Sequence, residues 1–287
     1  MLQKPKSISS VGLVQVLLAG TFVLWLLFFP STAGNFAWPI VGRQTAMFIG
    51  AAFIARTYLG VHLWRQKQWY RLRWQVWGNY GFLAVIILAT FWHVEAMNWT
   101  SSIIVAHIWV IAYIFEPLML ILIEPRGERA NEPPPPELRQ GPILMGLKWA
   151  CAAAFIVGIA IAGLLLINPA FMSTRWPWPL DAFDARIMAA FPTLGALWAV
   201  HVYFAQDWVE AKSAVLGLII IGASEFAVWL VNLPTFDFSR PNVWTFGIVF
   251  GLFAVLLTFY YWRQERAAVP APSSLSAIIG SGEKAAG

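Results

Sequence analysis

Three charged residues stand inside long apolar runs: Arg56, Glu116 and Glu225. A charge at mid-membrane costs at least ~2.5 kcal/mol on insertion scales, so each one needs a partner or a task. Arg56 lies about eight residues from the end of its run and Glu116 about seven from the end of its own, and both runs cross in the same sense. A rise of ~1.5 Å per residue puts the two at similar depth, and an ion pair is expected. Such a pair staples two helices together. The functional alternative is a gated polar site with a proton-sensitive carboxylate. Pro117 follows Glu116 directly. It should kink its helix and free a carbonyl that Arg56 can also reach.

Glu225 follows Gly222, Ala223 and Ser224, small residues that permit close approach of a neighbouring helix. Arg186 is its expected partner. The alternative makes Glu225 one wall of a polar cavity, and it is the best single candidate for a functional residue. His93 and His107 flank a short loop at comparable depth. Two facing imidazoles can ligate haem iron or a transition metal. With no Cys, no Met pair and no third ligand at fixed spacing, hydrogen-bonded interfacial histidines are the plainer reading, so no cofactor is expected. His62 and His201 read as interfacial anchors, and Cys151 as a buried inert thiol. Arg43, Arg175 and Arg186 lie in or beside two loops that each carry a Trp-Pro pair, Trp38-Pro39 and Trp178-Pro179. Tryptophan anchors, a proline-started helix and an arginine on lipid phosphate explain them. An anion site lined by the three arginines is the sharper possibility, weakened by Asp181 and Asp184 beside Arg186.

The elements that must position these residues follow from composition. Only 11% of the 287 residues are charged and 59% are apolar, against roughly 25% charged in a soluble domain. Eight apolar runs, at about 11–29, 44–64, 76–95, 102–123, 146–167, 187–205, 213–232 and 243–262, each approach the length that spans the hydrocarbon. The runs are continuous, which excludes the alternation of barrel strands. An all-α polytopic membrane protein is expected. The first run is read as a retained helix and not a signal peptide. The chain's net charge of +5 marks membrane orientation, not nucleic acid. Fourteen Lys and Arg fall in segments on the side of the N-terminus and four on the other. That bias puts both termini in the cytoplasm, and short loops suit a prokaryotic inner membrane.

The chain also echoes itself. Val61-His62-Leu63-Trp64 answers Val200-His201-Val202-Tyr203 at an offset of 139, as Gly78 answers Gly217 and Arg73 answers Lys212. This predicts a four-helix unit written twice, over 1–125 and 144–266, joined by a proline-rich linker at 126–143 and followed by a disordered tail at 267–287. Four helices per copy make the copies parallel, related by an axis along the membrane normal.

No Walker loop, dinucleotide fingerprint, nucleophile elbow or HExxH helix is present. The reading that fits best is a non-catalytic membrane component, an accessory or scaffold subunit, whose partners are the bilayer and either protein subunits or a second copy. A small transporter with its site between the repeats is the first alternative. A membrane redox enzyme at His93 and His107 is the second.

Overall fold

The computed structural model describes residues 5–268 except 241, without the side chains of 128 and 129. The part of the expected tail from 269 onward lies outside the described residues. Among the described residues, eight helices are long and apolar enough to cross a membrane: α1 (Lys6–Phe28), α2 (Arg43–Arg65), α3 (Arg73–Trp92), α4 (Ile103–Ile123), α5 (Met145–Ile167), α6 (Ala182–Phe204), α7 (Trp208–Asn232) and α8 (Asn242–Ala267). No strand occurs among the described residues.

Two helices overrun their apolar runs because polar caps start them early. The Asp181 carboxylate accepts from the Asp184 amide at 2.7 Å and opens α6 at Ala182, not near 187. The Asp207 carboxylate accepts from the Val209 amide at 2.9 Å and opens α7 at Trp208. Inside α6, Pro192 has no amide to donate to the Met188 carbonyl, so one rung of the ladder is missing while Ala189 keeps helical dihedrals.

α2, α3, α6 and α7 form the centre. In α2, 72% of the apolar window is buried, against 17% in α5, which faces lipid. α1 lies directly on α2. A Cβ at Gly12 would sit 2.6 Å from the Trp64 amide nitrogen and 2.7 Å from the Gly60 carbonyl, so the two backbones touch. α2 packs on α7, and α3 on α6. Trp198 of α6 is fully buried and fills the space between α3 and α7. A Cβ at Gly78 would fall 2.6 Å from its indole, and Gly217 abuts the opposite edge of the ring. The indole nitrogen donates to the Gln75 carbonyl at 3.3 Å.

Each end of the bundle is pinned. At the loop end, Trp38 Nε1 donates to Asp184 Oδ1 at 2.7 Å and Trp178 Nε1 donates to Thr45 Oγ1 at 2.9 Å. At the other end the proline-rich linker folds back as short turns over Gly127–Asn131 and Pro136–Leu138. Trp69 Nε1 donates to the Ala130 carbonyl at 3.1 Å, Arg73 to the Glu132 carbonyl at 3.1 Å, and Asp207 accepts from the amides of Gln140 and Gly141. Arg73 also pairs with Glu210 at 2.9 Å.

Candidate functional site

The expected ion pair is present. Arg56 Nη2 donates to both carboxylate oxygens of Glu116, at 2.8 and 2.7 Å. Asn79 of α3 closes a triangle: it accepts from Arg56 Nη1 through Oδ1 and donates to Glu116 Oε1 at 2.9 Å. Gln15 of α1 donates to the Arg56 carbonyl at 2.9 Å. Four helices thus meet at one polar knot. The guanidinium is also stacked 4.5 Å from the Phe82 ring centroid, where a cation is attracted to the ring face. Pro117 lies within α4, but the carbonyl it frees is not among the hydrogen-bond partners of Arg56, whose Nη groups bond Asn79 and Glu116.

A cavity of about 420 Å³ opens beside this knot, between α1 and α4. Phe22 and Phe53 line its apolar wall, and Gln15, Arg56 and Glu116 its polar floor. The Arg56 side chain is 2% exposed and that of Glu116 is 14%, so the carboxylate is the charged group that shows into the cavity. Asn79 and Gln15 are the members that sequence reading missed. Their signal was a neutral amide inside each apolar run, which raises no charge alarm.

The expected partner of Glu225 is engaged elsewhere. Arg186 donates to His93 Nε2 at 2.6 Å and to the Leu166 carbonyl at 3.1 Å, and stacks 4.3 Å over Trp92. Arg186 sits in the first turns of α6, where the ends of α3 and α5 reach it. Glu225 is 1% exposed, and neither carboxylate oxygen has a partner among the described residues. It shares a helix face with Val228 and Asn232, which contact Ala51 and Met47 of α2.

His93 and His107 have different partners. His93 stacks on Phe183 at 4.8 Å, and its Nε2 lone pair faces the Arg186 guanidinium, a group that can only donate. His107 Nδ1 bonds the Ile103 carbonyl at 2.7 Å. Among the described residues no three His, Cys, Asp or Glu side chains come together as a metal site. Arg43 is exposed, Arg175 lies 5.3 Å from the Phe171 ring centroid, and Arg186 lies 4.3 Å from that of Trp92.

Burial, and then the Arg186 charge, hold the His93 imidazole below its ordinary value of 6.5. The unfolded chain therefore takes up this proton at higher pH than the fold does. Stability is fully present above 6.5 and declines as pH falls toward the lowered value. Melting the full chain across this range should show the decline, and His93→Gln should flatten it.

These helices define an integral, multi-pass membrane protein. No known protein family, characterised protein or solved structure matches the chain.

Proposed function

We propose that the protein is a non-catalytic component of a prokaryotic inner membrane, an accessory or scaffold subunit. In this reading it is two parallel four-helix copies with both termini cytoplasmic. One observation carries it. Trp38 of the first half donates to Asp184 of the second, and Trp178 of the second donates to Thr45 of the first. At an offset of 139 or 140 these are the same bond made twice in opposite directions. The central contacts exchange in the same way: α2 with α7, and α3 with α6.

The paired bonds favour a rigid body over a transporter. Alternating access rocks one repeat against the other around a site between them. Here that motion must break both tryptophan bonds and pull Trp198 of the second half away from Gly78 of the first. The test places spin labels at two exposed positions of matching register, Asn35→Cys and Thr174→Cys, in liposomes. One narrow distance distribution, unchanged by membrane potential or a pH gradient, is expected. Two populations that interconvert under either gradient would overturn the scaffold in favour of transport.

A further inference from the structure

The polar knot is not something this fold needs twice. Residues 139 positions beyond Gln15, Arg56, Asn79 and Glu116 are Ala154, Gly195, Leu218 and Val255. In the second half the same places are apolar, and α5, α6, α7 and α8 pack without any charge there. That comparison rests on the duplication proposed above. It leaves the first-half knot with a stability requirement that its twin does without, and points to a ligand.

Hydrogen-bond capacity says what kind. A carboxylate accepts about four hydrogen bonds. Glu116 receives three, two from Arg56 and one from Asn79. Gln15 Oε1, on a side chain 5% exposed at the cavity floor, has no partner among the described residues, nor has Arg56 Nε. Those two atoms are buried, whereas the Glu116 carboxylate, 14% exposed, still has room for one hydrogen bond and calls for a donor. A hydroxyl both donates and accepts, whereas a ketone or ether oxygen only accepts.

Depth and charge narrow the class. Glu116 is seven residues from Ile123, the end of α4, or about 10 Å inside the helix end. A lipid phosphate stays at the headgroup level, outside the hydrocarbon. The Arg56–Glu116 pair is already neutral, so an ionic head would add an unbalanced charge in the membrane. The cavity's 420 Å³ falls within the ordinary size of small-molecule sites. We propose that the cavity between α1 and α4 binds a neutral long-chain alcohol dissolved in the bilayer. Its hydroxyl hydrogen-bonds to Glu116 and its chain lies against Phe22 and Phe53.

The test uses the full chain in nanodiscs with a photoreactive long-chain isoprenoid alcohol. Labelling should map to α1 and α4. Unlabelled isoprenoid and straight-chain alcohols should both compete, each at least about tenfold better than its own methyl ether, as loss of a hydrogen bond to a charged group implies. Ala112→Phe and Met119→Trp fill the cavity from different points on α4 and should each reduce labelling about tenfold at unchanged melting temperature. Equal competition by alcohol and ether would overturn the hydroxyl assignment. Labelling spread over α5 and α8, or indifferent to both variants, would overturn the site. Neither readout depends on whether the halves rock, so the scaffold reading and this one fail separately.

Discussion

Glu116→Ala is expected to destabilise the fold by about 3–5 kcal/mol, because it leaves the Arg56 charge buried without its partner. Arg56 is 2% exposed. The measurement is thermal unfolding of the purified full chain. Glu116→Gln should fall between wild type and alanine, since an amide oxygen still accepts from Arg56 but carries no charge. The double variant Arg56→Met with Glu116→Leu should lose less than the sum of the single changes, as apolar replacement of a buried pair commonly does. It will not recover fully, because Asn79 then has neither of its partners. A Glu116→Ala protein that melts like wild type would show that the knot does not hold the helices.

The second large effect lies at Trp198. Trp198→Ala should cost about 3–5 kcal/mol through the cavity it leaves at the centre of the bundle. Overpacking the same place is the sharper test. Gly217→Ala puts a methyl against one edge of the indole while Gly78 already receives the other edge. The ring is further tied by its bond to the Gln75 carbonyl, so it has little room to retreat. Loss of about 1–3 kcal/mol or more is expected from that single methyl. Combining Gly217→Ala with Trp198→Phe, a smaller ring, should recover part of it. If Gly217→Ala is neutral, the seam is looser than its geometry implies.

The eight spans were legible because lipid imposes a length and composition that nothing else in the chain mimics. Their ends were less so. Asp181 and Asp207 start α6 and α7 several residues ahead of the apolar signal, through capping bonds that hydropathy does not register. The Arg56–Glu116 pair was legible from depth alone, since a membrane charge must find a partner. Asn79 and Gln15 were not, because a neutral amide has a smaller insertion penalty and no sign to match. Arg186 was assigned to Glu225 by proximity in register. The packing instead brings Trp92 at the end of α3, and His93 just beyond it, to Arg186, a tertiary fact that register along single helices does not contain.

The exchanged tryptophan bonds also bear on ancestry. A lone four-helix ancestor would carry its indole donor and its acceptor on surfaces that cannot meet within one molecule. Both would be met at once in a two-fold homodimer, which is self-complementary by construction. If the two copies proposed above arose this way, fusion through a tether such as the one now held by Asp207 would preserve that dimer and release its halves from identity. In that case each half would be free to place its buried charges differently, Arg56 and Glu116 in the first and Glu225 in the second, an inequality that a homodimer encoded once could not evolve.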